Sequence, residues 1–392
     1  MIKYKACDFF MIRTPLLSTD DYQSIFHDQA EVSQRLSRVF ADPILREALI
    51  VASKDLYEAI EKANLGDGSK SASQMQSSLL KYFIRLSTRP TPFGLFSGIA
   101  TGKFDEISSQ KSSDIVVLPS ESHSKRARPD TEWVYGLIKK IESNNNVRNK
   151  LRVRFNDFTF VNGDRIEKPN KTSMQHNEEA KNTRELSTSI RYTDQVKKIE
   201  ESCKEFRLLE DVINEVVSGN PDVSPKKIEI FFSQLLNNEF LLSELRPPLT
   251  NTDMLEYVVE ILKSTENVEE TAFYIEKIEE IRKSLEEYDS SVIGKGIDIY
   301  SRATQQLKDL HESKNYLQVD MKTHFKNNTL DSELKFELEE LVNALYKVAP
   351  TNKGSDEMAH YFELFVEKYG YSSEIPVMEL LDVDRGLGSP SH

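Results

Sequence analysis

Cysteine, tryptophan and long apolar runs are what this 392-residue sequence has least of. Its two cysteines, Cys7 and Cys203, are too few for a disulfide framework and stand in no Cys-x-x-Cys or Cys/His zinc spacing. Each reads as a small buried thiol. No stretch approaches the roughly 18 consecutive apolar residues of a spanning helix. The start Met1-Ile2-Lys3-Tyr4-Lys5 has no signal-peptide core, so a cytoplasmic protein is expected. No internal repeat is found, and 14 glycines and 14 prolines are far from a fibrous or disordered composition. What is there, 38% apolar and 29% charged residues, suffices for roughly two to four compact units.

The net charge of −13 is unevenly spread. Residues 1–200 carry 31 Lys and Arg against 26 Asp and Glu, whereas residues 201–392 carry 20 against 38. An acidic chain repels nucleic acid at long range, yet salt confines each patch to about 8–10 Å. A basic surface in the first half therefore remains able to hold phosphates.

Hydropathy periods predict an α+β protein of mixed helices and small sheets. Phe9 to Pro15 reads as a buried strand stopped by a proline, with Arg13 near its end. Helices are expected over about 19–40 and from the cap Asp42-Pro43 to near Gly66, before a Gly/Ser linker over 66–73. The next helix, from Ser73, carries Leu79, Leu80, Phe83, Ile84 and Leu86 until Pro90 and Pro92 stop it. A bulged strand over 96–104 and a basic stretch Lys125-Arg126-Ala127-Arg128 precede a helix with Trp133, Leu137 and Ile138. These elements make up a first part, 1–150.

Residues 151–250 read as a separate part. Alternation at Val153, Phe155, Phe158 and Phe160 leads to the hairpin turn Asn162-Gly163. A polar stretch over 168–185 reads as a mobile loop. A strand from Ser187 to Tyr192 then precedes helices over 194–207, 208–218 and 225–238 and a closing strand at Phe240-Leu241-Leu242. That layout predicts a winged-helix-like element. Its would-be recognition helix offers only Lys226 and Lys227 as cations, beside Glu229 and a face of Ile228, Phe231, Phe232 and Leu235, which is too little for reading DNA. A hydrophobic groove beside an open sheet edge suits a peptide that adds as an extra strand. The third part, 251–392, is mostly helical, over about 252–263, 266–288, 297–313, 331–348 and 356–369. It is interrupted by the alternating run Tyr316 to Met321, which contains Asp320.

Lys81, Arg85 and Arg89 lie at i, i+4 and i+8, which puts three cations on one helix face at its C-terminal end. Two prolines fix the backbone beyond it, Gly94 permits an unusual turn, and Thr91 adds a hydroxyl. The run Lys81 to Gly98, with Arg89-Pro90-Thr91-Pro92-Phe93-Gly94 at its centre, resembles the N-terminal signature of lantibiotic dehydratases. So, in order, do Phe9 to Pro15, Arg128-Pro129-Asp130 before Trp133, Ser189-Ile190-Arg191-Tyr192-Thr193, Leu245-Arg246-Pro247-Pro248, Gln318-Val319-Asp320 and Glu374 to Gly388.

The resemblance implies a two-step chemistry. Enzymes of that family esterify glutamate from glutamyl-tRNA onto Ser and Thr of a precursor peptide, then eliminate it to leave dehydroalanine or dehydrobutyrine. By matched position Arg13, Arg85, Arg89, Thr91, Asp130 and Asp320 are the implied glutamylation residues. Guanidinium groups hold a carboxylate or phosphate bidentately, and Lys81 adds a point charge for the co-substrate. Asp320, if buried, would be the base, and Asp130 would orient an arginine or cap the following helix. The winged-helix-like element would bind the precursor's leader.

The partners so implied are the precursor, with its leader and its Ser/Thr-containing core, and glutamyl-tRNA. A lanthionine cyclase and a transporter would join them in a complex peripheral to the membrane, with no DNA, bound cofactor or metal. A homodimer stays open. Complete members are more than twice this long, so 251–392 is expected to be a truncated continuation of the glutamylation domain. The residues for elimination are then expected to be missing. A non-catalytic leader-binding fragment and a peptide aminoacyl-tRNA ligase remain as alternatives.

Overall fold

The computed structural model describes residues 4–27, 32–62, 70–105, 115–168, 188–265, 269–349 and 356–390. They form two compact units, Met1–Asp130 with Glu280–Ala349 and Thr131–Glu279 with Pro350–His392. The sequence reading places its divisions at 150 and 250 instead.

The first unit opens with strand β1 (Phe9–Pro15) and helices α1 (Thr19–His27), α2 (Val32–Val39), α3 (Pro43–Ala52), α4 (Lys54–Lys62) and α5 (Lys70–Thr88). Strands β2 (Gly94–Asp105) and β3 (Ser124–Pro129) follow. Of the helix expected over 19–40, Thr19–His27 and Val32–Val39 are helical, and residues 28–31 lie outside the described ones. Residues 66–69 of the expected linker also lie outside them, and α5 already begins at Lys70. The Asp42 carboxylate caps α3 as expected, accepting from the backbone N–H of Ile44 (2.7 Å) and Leu45 (3.3 Å). That helix stops at Ala52 because Ser53 is extended, and the Ser53 hydroxyl then accepts from the Leu56 N–H (3.3 Å) to start α4.

The second unit holds α6 (Thr131–Glu142), α7 (Asn145–Asn149), β4 (Arg152–Phe155), β5 (Phe160–Asn162), β6 (Arg165–Lys168), β7 (Thr188–Arg191), α8 (Asp194–Ser202) and β8 (Arg207–Leu208). It continues through α9 (Leu209–Gly219), α10 (Pro225–Asn237), β9 (Leu241–Ser243) and α11 (Met254–Ser264), and the division falls inside α12 (Glu269–Ser290). The chain returns to the first unit with α13 (Ile297–Leu310), β10 (Leu317–Lys322), β11 (Thr329–Asp331) and α14 (Ser332–Val348). Helices α15 (Asp356–Tyr369) and α16 (Val377–Leu380) belong to the second.

In the second unit the expected strands separate into two sheets, β8-β4-β9 and β5-β6-β7. Gly163, at φ +60°, turns the β5–β6 hairpin, with Asn162 opposite Arg165. The stretch read as a mobile loop lies, beyond Lys168, outside the described residues. Ile228, Phe232 and Leu235 of α10 are buried with Val153, Ile199, Val212 and Phe240. The face expected to line a peptide groove is thus core, because apolar spacing alone does not tell a groove from an interior.

The first unit is organised by a sheet in the order β1-β2-β10-β3, with β11 also on β2. Strand β1 runs antiparallel to β2 and lies at the edge. It is therefore not the buried strand its composition suggests: Phe9 and Met11 are 58% and 59% exposed. Cys7, just before it, is exposed as well, against expectation, while Cys203 is buried and its thiol is pushed up to about 11 by that burial. Helix α3 packs on β2 and α5 on both β1 and β2, so one sheet face is interior. Leu49, Leu79, Phe83, Leu86, Leu95, Phe96, Val319 and Met321 are buried in this unit.

Candidate active site

The last turn of α5 delivers the chain into the most restricted loop of the first unit. Ser87 and Thr88 return their hydroxyls to the carbonyls of Phe83 (2.9 Å) and Ile84 (2.6 Å), and the Arg89 N–H still reaches the Arg85 carbonyl (3.2 Å). Pro90 and Pro92 then forbid further helix. Gly94 closes the loop at φ +54°, a left-handed conformation that any side chain would strain, and an added Cβ would lie 2.9 Å from the Val51 side chain. The Arg85 guanidinium lies 4.0 Å over the Phe93 ring, and its buried Nε has no hydrogen-bond partner among the described residues. Lys81, Arg89 and Thr91 are exposed.

Strand β10 carries Asp320 to this loop. It runs parallel to β2 and antiparallel to β3, which places Asp320 opposite Gly94 on one side and Arg126 on the other. The next residue, Met321, already pairs with Gly98. Residues 95–97 of β2 therefore bulge, and Leu95, Phe96 and Ser97 are buried in succession where a regular strand would alternate. The bulge is what brings the end of the loop beside the carboxylate. The Asp320 carboxylate pairs with Arg128 (2.9 Å), and the two side chains are 45% and 44% exposed. The burial on which the sequence reading made Asp320 a base is not met, because β10 turns the carboxylate to the open face of the sheet.

That face is a cationic surface. Residues paired across a sheet share a side, so Arg13 opposite Ile99, Lys322 opposite Ile99 and Ser124, and Arg126 opposite Asp320 all project together. Arg13, Lys103, Arg126, Arg128 and Lys322 are exposed there, with Asp320 and Asp105 as the facing acids. Two strand spacings and two residues separate Arg13 from Asp320, about 12 Å between backbones. Asp130 sits where β3 ends and α6 begins, its N–H donating to the Tyr316 carbonyl (2.9 Å) beside β10. The structure thus gathers Arg13, Asp320 and the 85–94 loop on or beside one sheet, with Asp130 at its margin and Lys81 two turns back on α5.

Alternation also explains what lies beneath. Lys125, between Ser124 and Arg126, points inward and is fully buried against Glu47 of α3, 78 residues away in sequence. Glu47 also accepts from the backbone N–H of Gly294 (2.6 Å) and Gly296 (2.9 Å), and the Lys125 ammonium lies 4.0 Å over the Tyr288 ring. Burial lowers the Lys125 pKa against the opposing pull of Glu47. Asp289 accepts from the Ala127 N–H (2.6 Å), and burial raises it to about 6 although that hydrogen bond, Arg126 and Lys125 act the other way. Among the described residues no group of three or more His, Cys, Asp or Glu is fit to hold a metal, and no helix is long and apolar enough to cross a membrane.

The family described as lantibiotic dehydratase, N terminus, matches residues 41–392. The chain belongs to this family. Among curated members it is 30% identical over 394 residues to the subtilin biosynthesis protein SpaB of Bacillus subtilis, which covers 99% of this chain and 36% of that protein. It is 27% identical to the nisin biosynthesis protein NisB of Lactococcus lactis subsp. lactis, over 97% of this chain and 36% of that one. The tRNA-dependent lantibiotic dehydratase MibB from Microbispora sp. 107891 superposes with a TM-score of 0.78 at 25% identity, over 98% of this chain and 35% of that chain. The glutamylation domain TbtB from thiomuracin biosynthesis shares the fold at a TM-score of 0.61 and 16% identity, over 88% and 41%. The chain therefore spans about a third of the length of the curated relatives it matches. The fold class, α+β with small sheets, is that of these dehydratase domains.

Arg126, Arg128 and Lys322 were not among the expected site residues of this lantibiotic dehydratase family member. The period of two in Ser124 to Pro129, Lys inward and Arg outward, is the signal that would have found them.

Proposed function

We propose that this chain takes part in the glutamyl transfer that begins lanthipeptide dehydration, moving glutamate from glutamyl-tRNA to Ser and Thr hydroxyls of a precursor peptide. The observation that carries the reading is the cationic open face of the sheet, with Asp320 set among Arg13, Arg126, Arg128 and Lys322 at the foot of the Arg89–Gly94 loop. In this reading the cations hold the phosphates of the tRNA end, and Arg85 and Arg89 hold the glutamate side-chain carboxylate. The peptide hydroxyl oxygen attacks the aminoacyl ester carbonyl, forming one C–O bond as the bond to the ribose breaks. The hydroxyl proton passes to the departing ribose oxygen. An ester is already activated, so placing the two oxygens in line matters more than acid strength. Asp320 then serves by fixing Arg128 and aligning the hydroxyl. Thr91 and Asp130 line the loop and the strand end, and Lys81 adds charge behind them.

For the second unit we propose recognition of the precursor's leader by strand addition. The β5-β6-β7 sheet supports this, since β5 and β7 each pair on one side only among the described residues. Exposed Phe158 and Val161 lie at the β5 end.

The test is mass spectrometry of a class I lanthipeptide precursor incubated with this chain, glutamate, glutamyl-tRNA synthetase, tRNA and ATP. A glutamyl adduct without loss of water is the expected product. An unmodified precursor that nevertheless binds would overturn transfer by this chain and leave leader recognition, the alternative reading.

A further inference from the structure

Two of the runs by which the sequence resembles its family, Leu245-Arg246-Pro247-Pro248 and Glu374 to Gly388, are not among the residues proposed for glutamyl transfer. In the second unit both lead to the same strand, from opposite faces. That strand, β6, is the middle of the β5-β6-β7 sheet, whose strands are only three or four residues long. So short a sheet does not hold its own shape in water. Alternation along β6 turns Ile166 and Lys168 toward the helices of this unit, where Ile166 joins their core, and turns Glu167 the other way.

Glu167 and Lys168 are both buried, and each meets a partner from a distant part of the chain. On the helical side Lys168 Nζ pairs with Glu239 (2.7 Å), Glu239 with Arg246 (3.4 Å), and Arg246 with Glu142 of α6 (3.3 Å), which also accepts from the Ser243 hydroxyl (2.6 Å). Two cations and two carboxylates thus run in a line from β6 to α6. Glu239 follows α10 at φ +62°, and among the described residues it alone, glycines aside, has a positive φ. Glycine would take that turn without strain, so what glutamate adds there is its carboxylate. On the outer side Glu167 meets Arg385 (2.5 Å). Arg385 is itself fixed: its N–H and that of Asp384 donate to the Asp382 carboxylate (3.0 and 2.9 Å), and its carbonyl accepts from Lys368 Nζ of α15 (2.5 Å). A buried pair adds little net stability, since desolvation offsets its attraction, yet it strongly penalises any arrangement that separates the partners.

We infer that Lys168, Glu239 and Arg246 on one face of β6, and Glu167 and Arg385 on the other, are positioning residues for leader recognition. They lock β6 from both sides, so that the open sides of β5 and β7 stand preformed for an added strand. The inference rests on the leader reading proposed above for this unit. A template already held in its bound shape avoids the ordering that binding would otherwise impose, so the two clamps act on affinity.

The experiment measures, by fluorescence anisotropy, the affinity of the full chain for the fluorescein-labelled leader of the subtilin precursor, together with amide exchange in the free chain. Arg385→Ala, at a partly exposed side chain, and Glu239→Gly, which relaxes the turn while deleting the carboxylate, should each weaken binding at least about tenfold. Arg385→Lys, which keeps the charge, should recover most of that loss. In the two weakened variants amides over 160–168 and 188–191 should exchange at least about tenfold faster, while those of α9 and α10 keep the parent's rates. Variants that bind like the parent would overturn the inference and leave the leader reading standing. So would an equal acceleration in α9 and α10, which marks ordinary destabilisation of the unit. A parent chain that does not bind the leader would overturn the leader reading, and the inference with it.

Discussion

Replacing Lys125 by methionine should loosen the central sheet by about two orders of magnitude in local opening. The change leaves the buried Glu47 carboxylate with the N–H groups of Gly294 and Gly296 but without its cation. Removing one partner of a buried pair costs about 3–5 kcal/mol, and the two retained donors put this case near 3. At about 1.4 kcal/mol per factor of ten, amide exchange in β3 and β10 should accelerate roughly 100-fold. Peptides over 124–129 and 317–322, followed by mass spectrometry, report it directly. The double substitution Lys125→Met/Glu47→Gln removes both charges while the new amide oxygen still accepts from the two glycines. It should recover at least about half of the loss, a coupling that a double-mutant cycle reads. An acceleration below about tenfold for the single change would refute the reasoning, as would a double change no better than the single. The same pair sets the pleat of β3, so the single variant should also weaken any binding that uses the outward Arg126 and Arg128.

Three further outcomes are expected. Arg85→Ala and Arg89→Ala should each abolish glutamyl transfer, read by precursor mass, and leave leader affinity within about twofold; a loss of leader binding would contradict the separation of the two units' roles. Arg126→Ala should weaken tRNA binding and reduce the slope of log affinity against log salt by about 1, as for one phosphate contact. Asp289 titrates near 6 in the folded protein against 3.8 unfolded, so the folded state binds its proton more tightly. Its stabilising contribution is full below about pH 3.8 and is lost as pH rises through about 6. Asp289→Asn keeps an acceptor for the Ala127 N–H, so it should raise the melting temperature at pH 7.5 and change it little at pH 4; equal shifts at both would count against this account.

What the sequence showed and what it hid follow one physical division. Local signals were readable: the Asp42 cap, the Asn162-Gly163 turn, the proline stop after α5 and the alternation that became β10. Non-local ones were not. An apolar run such as Phe9 to Ile12 does not say how many neighbours its strand will have, and β1 proved to be an edge. The apolar face of α10 gave the right helix and the wrong surroundings. Asp320 was found by family resemblance, but its half-exposed pairing with Arg128 needed the register of β3 against β10. Glu47 lay hidden in the apolar run of α3, because the lysine that justifies it arrives 78 residues later.

The place of β10 has a consequence for synthesis. Among the described residues it alone joins β2 to β3, yet it is made only after the second unit's residues 131–279 have been translated. At about 5–20 residues per second, the interval between Asp130 and Lys322 is some 10–40 s, during which β2 and β3 lack the partner that joins them. The nascent first unit must therefore wait with open strand edges at its future site, and it closes only when a segment from far downstream leaves the ribosome and is threaded between them.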